Sequence, residues 1–169
     1  MFENYLEEDM VVIQGDYATS VVILSILIAV IASYSALTMN GRAQRIGFFH
    51  RNLWVMFASI AMGFGIWSMH FVGMSAFSLP VHMTYNVTLT VISIVPAMVA
   101  SFIAFYLSNL PKRGLWVYIL AGVSMGAGIS TMHYMGMYAM KMDISYSYNY
   151  IIFIVSIGIS VAISMLAVY

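Results

Sequence analysis

Cysteine is absent from this sequence, and charge is scarce, with six basic and six acidic residues in 169 positions. Without cysteine there can be no disulfides, thiolate metal sites, iron–sulfur clusters or cysteine nucleophiles. Any soft sulfur ligand for a metal must therefore come from the sixteen methionines. Most methionines in a helical protein only fill gaps between side chains, so a ligand role needs further evidence.

The few charges also exclude several classes of function. The six Lys and Arg residues do not form the clustered basic face that nucleic-acid binding requires. Five of the six acids precede residue 17 and the sixth is Asp143, so serine, histidine and acid do not come together as in a hydrolase. We therefore expect no nucleic-acid partner and no enzyme activity in this chain.

Long apolar runs dominate what remains, because 63% of the residues are hydrophobic. About 20 apolar residues suffice to cross a bilayer as a helix. The predicted fold class is therefore an all-α, polytopic membrane helical bundle. We expect Pro96 to kink the third helix and Gly41 to end the first, in a loop over 40–52. The five predicted transmembrane helices span 18–39, 53–77, 87–110, 115–140 and 148–169.

The basic residues predict the orientation of these helices. Arg42, Arg45 and Arg51 follow the first helix, and Lys112 and Arg113 follow the third. Short loops rich in Lys and Arg stay in the cytoplasm. We therefore expect an N-terminus outside and a C-terminus in the cytoplasm.

Two stretches, 62–76 and 125–139, are copies of one motif. They read MGFGIWSMHFVGMSA and MGAGISTMHYMGMYA, with nine of fifteen positions identical. Each places a histidine, His70 or His133, inside an apolar helix, where an ionisable side chain is costly and marks a functional candidate. Both motif helices run the same way, so the histidines are expected at matching depth, roughly 10 Å below the outer surface.

Methionines accompany each histidine. Residues at i and i+4 share a helix face, which places Met74 with His70 and Met137 with His133. Met69 and Met132 directly precede the histidines and point about 100° away. His82, on the predicted outer side, is a further candidate ligand or entry point.

The chain is built from two-helix repeats. Matching Ala-x-Tyr triplets at Ala32, Ala104 and Ala167 align the helices that precede each motif. We interpret 18–77 as the first repeat, 87–140 as the second and 148–169 as the start of a third that ends before its motif.

Imidazole with thioether is a soft ligand set that suits copper, especially Cu(I). Two histidines at one depth could also supply both axial ligands to haem, or one histidine and one methionine could do so. A third interpretation is a purely structural bundle, whose histidines hydrogen-bond to neighbours such as Ser68, Ser75, Thr131 or Tyr134. The residues alone leave these alternatives open.

The repeated motif, seen as Met69-His70-Phe71-Val72-Gly73-Met74 and Met132-His133-Tyr134-Met135-Gly136-Met137, resembles the MHYT domain, an integral-membrane sensor domain of bacterial signalling proteins. The resemblance covers essentially the whole chain, although neither copy reads Met-His-Tyr-Thr. It implies a single sensor domain in the bacterial inner membrane that binds copper through the motif Met and His residues. The implied signal is oxygen, carbon monoxide or nitric oxide.

The same resemblance implies partners beyond the lipid bilayer and the gas. Such domains commonly precede cytoplasmic diguanylate cyclase, cyclic-di-GMP phosphodiesterase or histidine kinase domains. We therefore expect signal transduction to a cytoplasmic output domain on the C-terminal side, and we leave open whether the chain forms a homo-oligomer.

Overall fold

A computed structural model describes residues 16–45, 47–78, 83–111, 114–142 and 150–168. Five of its helical segments are long and apolar enough to cross a membrane, and the third of these, Val87–Ser108, consists of two consecutive helices. The predicted fold class, an all-α polytopic membrane bundle with five transmembrane helices, is confirmed. The helices of the described residues are α1 (Thr19–Ala43), α2 (Phe48–Ser75), α3 (Val87–Ile92), α4 (Ile94–Ser108), α5 (Leu115–Ala139) and α6 (Tyr150–Val168).

Two short antiparallel strand pairs join the ends of these helices. They are β1 (Asp16–Tyr17) with β2 (Phe77–Ser78), and β3 (Met83–Tyr85) with β4 (Met140–Met142). Each pair ties the residues before a two-helix unit to the end of that unit's motif helix. The sequence predicted only loops here, and it extended the motif helices to Phe77 and Met140, residues that the structure places in strands.

The helices pack in an open row. Helix α1 packs against α2, α2 against α4, α4 against α5, and α5 against α6. The two motif helices, α2 and α5, also touch each other directly. Because α4 lies between them over most of their length, the direct contact of the motif helices is confined to a short region.

Pro96 interrupts the third span as predicted. Proline lacks the backbone N–H, and its ring collides with the carbonyl four residues earlier, here that of Ile92. The helix breaks at Ser93, between α3 and α4. The indole Nε1 of Trp67 on α2 donates hydrogen bonds to the Thr90 carbonyl at 2.9 Å and to the Ser93 hydroxyl at 3.1 Å. Hydrogen bonds therefore hold this break in the third span against the first motif helix.

The prediction that Gly41 ends the first helix is wrong. Helix α1 continues to Ala43, and only residues 44–47 separate it from α2. The extra turn is held by packing, because Ala43 is fully buried and Asn109 Nδ2 donates a hydrogen bond to Asn40 Oδ1 at 2.6 Å. Contacts between α1 and the end of α4 therefore extend the helix past Gly41, although glycine by itself favours a helix end.

In each repeat, a glycine of the motif helix contacts an alanine of the preceding helix. These contacts correct the alignment of the two repeats that the Ala-x-Tyr triplets predicted. Gly65 on α2 lies against Ala32, and its counterpart Gly128 on α5 lies against Ala100. Ala32 therefore corresponds to Ala100, one helical turn before the predicted Ala104.

Helix α6 occupies the place on α5 that α4 occupies on α2. Gly63 meets Met98 of α4, and the equivalent Gly126 meets Val161 of α6. A small residue at each of these points lets the helix backbones approach closely.

Candidate metal centre

The C-terminal halves of the motif helices line one cavity of about 420 Å³. Five residues that the sequence proposed as ligands face this common space. The lining consists of Tyr17, Met69, His70, Gly73, Met74, Phe77, Tyr85, His133, Met137 and Met140.

The lining is built from equivalent residues of the two repeats. Tyr17 pairs with Phe77 across β1 and β2, and Tyr85 pairs with Met140 across β3 and β4. The next backbone hydrogen bonds also match, with Ala18 N to Ala76 O at 2.9 Å and Asn86 N to Ala139 O at 2.8 Å. The cavity therefore lies where two copies of one unit face each other. The equivalent pairs are Tyr17 and Tyr85, His70 and His133, Met74 and Met137, and Phe77 and Met140.

The two motif histidines meet inside this cavity. Their Nδ1 atoms are 3.4 Å apart, and their rings are 4.8 Å apart in an edge-to-face arrangement. This contact confirms that the histidines lie at one depth. If it is a hydrogen bond, one ring must present Nδ1–H and the other a bare Nδ1.

The Nε2 atom of His70 is buried and, among the described residues, has no hydrogen-bond partner. A buried polar atom without a partner costs about 1–3 kcal/mol. This nitrogen lies against Gly136 of α5, whereas Nδ1 of the same ring faces His133, so Nδ1 is the donor that His70 would offer to a metal ion in the cavity.

The hydroxyl groups that could have satisfied the histidines make other hydrogen bonds. Ser75 donates to Val72 O at 2.8 Å, and Thr131 donates to Ala127 O at 2.7 Å. The Tyr134 hydroxyl pairs with Ser156 on α6. These bonds argue against the interpretation in which the histidines serve only to hydrogen-bond the bundle together.

The donors at this site fit a soft metal. Within the described ranges, no three His, Cys, Asp or Glu side chains come together. Two imidazoles are available, and further ligands must be the methionine thioethers. Such a set favours Cu(I), while zinc and hard cations prefer thiolate, further imidazole or oxygen ligands.

The direct histidine contact argues against haem held by both motif histidines. Two axial histidines must approach the iron from opposite faces of the porphyrin. His70 and His133 contact each other instead, with 3.4 Å between their Nδ1 atoms. A porphyrin cannot stand between rings in contact. Haem held by one histidine and one methionine stays an alternative, and a metal ion without a macrocycle would be held by both imidazoles together.

One of the predicted site residues, Met132, does not line the cavity, and another cannot be placed. Met132 is only 1% exposed and is absent from the lining, so it packs in the helix interface. His82 lies outside the described residues. The sequence analysis missed Tyr17 and Tyr85. Their signal was a tyrosine two residues before the start of the first helix in each repeat.

The chain matches the MHYT family, described as a bacterial signalling protein N terminal repeat, over residues 63–121 and 126–169. It is 42% identical over 131 residues to the bifunctional diguanylate cyclase/cyclic di-GMP phosphodiesterase MucR of Pseudomonas aeruginosa, covering 76% of this chain and 19% of that protein.

Two further relatives also match most of this chain with only a small part of their own length. The chain is 39% identical over 127 residues to the cyclic di-GMP phosphodiesterase NbdA of Pseudomonas aeruginosa, covering 74% of the chain and 16% of the relative. It is 36% identical over 124 residues to the signaling protein YkoW of Bacillus subtilis, covering 73% of this chain and 16% of that protein. The chain thus spans less than a fifth of the length of these relatives. No solved structure matches it.

Proposed function

The chain belongs to the MHYT family of bacterial signalling proteins and is a membrane sensor domain, in which we propose that His70 and His133 bind copper together with Met74 and Met137. The observation that carries this proposal is the 3.4 Å contact between the histidines in a cavity lined by thioethers. Met69 also lines the cavity and is a further candidate ligand. Met132 is buried between helices, so we assign it a packing role.

Each residue has a separate task in this site. The imidazoles supply nitrogen donors from two different helices, so that binding ties α2 to α5. The thioethers supply soft donors that carry no charge into the membrane. The rings of Tyr17, Phe77 and Tyr85 complete the wall and restrict water. Bound copper would supply a redox-active centre able to take a small diatomic ligand.

We propose that the signal is oxygen, carbon monoxide, nitric oxide, or the redox or metal state of the cavity. A ligand shifts a conformational equilibrium only by its different affinity for the two states. Because the histidines come from different helices, a change in how they are bridged alters the preferred spacing of α2 and α5. Helix α4 packs on both and would follow that movement.

We also propose which kind of cytoplasmic domain receives the signal. MucR and NbdA bear the names of enzymes that make or degrade cyclic di-GMP. We propose that the same kind of output domain follows this domain on the cytoplasmic side of the inner membrane. The domain itself would act as its input, with the cavity towards the outside.

Metal analysis combined with optical spectroscopy of the purified protein tests the site. We expect stoichiometric Cu(I) in the wild type and its loss in His70→Ala and in His133→Ala, with no Soret band after supplying haem. His50→Ala is the matched control, because His50 is exposed and lies near the start of α2, far along the helix from His70. Equal copper retention in the wild type and both cavity variants would disprove the proposal.

A further inference from the structure

We propose that the cavity methionines form a site of reversible oxidation to methionine sulfoxide by two-electron oxidants of the hypochlorous acid class. The site consists of Met69, Met74, Met137 and Met140, which the two repeats bring to one wall. The inference concerns the metal-free protein and does not depend on copper binding.

Access separates these methionines from others in the same helices. The four cavity methionines are half-buried, and the exposed Tyr85 and His133 lie beside them on the lining. A small neutral oxidant can therefore reach the sulfur atoms through the cavity. Susceptibility of a thioether depends on such access.

Two methionines of the motif helices are protected by packing. Met132 is 1% exposed and Met125 is 8% exposed. The sulfur of Met125 also accepts a hydrogen bond from Ser101 at 3.7 Å. These residues are chemically identical to the cavity methionines, so they act as internal standards for the effect of position.

The reaction balances without a cofactor. The sulfur lone pair attacks the electrophilic chlorine of hypochlorous acid, so that a sulfur–chlorine bond forms while the oxygen–chlorine bond breaks and hydroxide leaves. Water then displaces chloride from sulfur, forms the sulfur–oxygen bond and gives up two protons, one of which neutralises the hydroxide. Sulfur loses two electrons, chlorine gains them, and the net products are the sulfoxide, chloride and one proton. In a chain without cysteine, thioethers are the sulfur groups available for this chemistry.

Oxidation changes the character of the cavity. A sulfoxide is polar and chiral, whereas the thioether that it replaces is apolar and flexible. Its oxygen is a hydrogen-bond acceptor placed in the space that the Nδ1 atoms of the two imidazoles share. A cavity wall shared by α2 and α5 would thereby acquire new hydrogen bonds between repeats.

The test treats the metal-free wild-type chain, in lipid nanodiscs, with less than one equivalent of hypochlorous acid. After quenching, peptide mass spectrometry measures sulfoxide at each methionine. We expect Met74 and Met137 to oxidise roughly tenfold faster than Met125 and Met132. Met56 is 41% exposed on the outside of the second membrane span, where lipid covers it in the nanodisc, so it controls for oxidant that arrives through the bilayer. Equal rates at buried and cavity methionines, or fastest oxidation at Met56, would overturn the proposal.

A second measurement separates this site from the copper proposal. Methionine sulfoxide reductases should restore the cavity methionines, because the first step of thioether oxidation is reversible. Selective oxidation of Met74 and Met137 is measured in the metal-free wild type, so it stands or fails independently of the copper analysis. If the reductases leave the sulfoxides at Met74 and Met137 in place, the oxidation is not reversible and the proposal fails.

Discussion

Gly136 on α5 stands directly opposite the buried Nε2 atom of His70 on α2. A Cβ atom at position 136 would lie 2.9 Å from that nitrogen and 3.1 Å from the ring of Phe71. The second motif therefore keeps its glycine where the first motif presents its histidine. The two motifs are therefore not only similar in sequence: a glycine of the second motif leaves the space that the histidine ring of the first motif occupies.

Gly136→Ala is expected to displace the His70 ring and weaken Cu(I) binding by roughly tenfold, about 1.4 kcal/mol. The matched control is Gly73→Ala in the other repeat, where the new Cβ would meet nothing closer than Ser25 Oγ at 3.8 Å. Competition titration with a Cu(I) chelator measures both affinities. An equal loss in the two variants would contradict the assigned role of Gly136.

Met137→Leu and Met132→Leu separate a ligand from a packing methionine. Both substitutions nearly conserve volume, so each should cost less than about 1.5 kcal/mol of stability. Because Met137 lines the cavity and Met132 does not, only Met137→Leu should weaken Cu(I) binding, by roughly tenfold. The same chelator titration checks this, and a greater loss in Met132→Leu would reverse the assignment.

Gly128→Ala is expected to push α4 away from α5. Its Cβ would lie 2.1 Å from Ala100 Cβ and 2.8 Å from the Pro96 carbonyl. Overpacking of this kind costs about 1–3 kcal/mol. In Gly158→Ala the new Cβ meets nothing within 4 Å, so helix propensity should leave stability unchanged or raise it by up to about 1 kcal/mol. Thermal unfolding in detergent compares the two, and a stable Gly128→Ala would contradict the packing described.

Asn40→Ala is expected to destabilise the fold without changing the cavity. It removes the acceptor of the 2.6 Å hydrogen bond from Asn109, where both side chains are buried. Loss of such a bond costs about 1–3 kcal/mol. Ser35→Ala is the control, since the Ser35 hydroxyl donates to the Ile31 carbonyl four residues earlier in the same helix. Thermal unfolding should show the difference, while the Cu(I) affinity of both variants stays at the wild-type value.

Single cysteines can test the membrane orientation cleanly, because the chain has none of its own. Thr84 is exposed in β3, and Gly114 is exposed directly before α5, so each can be replaced by cysteine. The positive-inside rule predicts that a membrane-impermeant maleimide labels intact cells at position 84 and not at position 114. The opposite labelling pattern would place the cavity on the cytoplasmic side.

The sequence predicted a large part of this structure because the relevant signals are local. Length and hydropathy identified all five spans, and Pro96 correctly indicated a break in the third. Gly41 gave the wrong helix end, because its effect competes with the burial of Asn40 and Ala43 against distant residues. The strand pairs were missed, since their hydrogen bonds join residues about 60 positions apart.

The sequence by itself determined that two histidine-bearing helices cross a membrane with thioethers nearby. That follows from apolar length and from the repetition of one motif, which need no knowledge of packing. Only the tertiary structure decided that the histidines touch, that Met137 faces the cavity while Met132 is buried, and that Tyr17 and Tyr85 join the wall. Helical spacing fixes the angle between neighbouring side chains on one helix, but the rotation of each helix against its partners is set by close contacts such as Gly128 on Ala100.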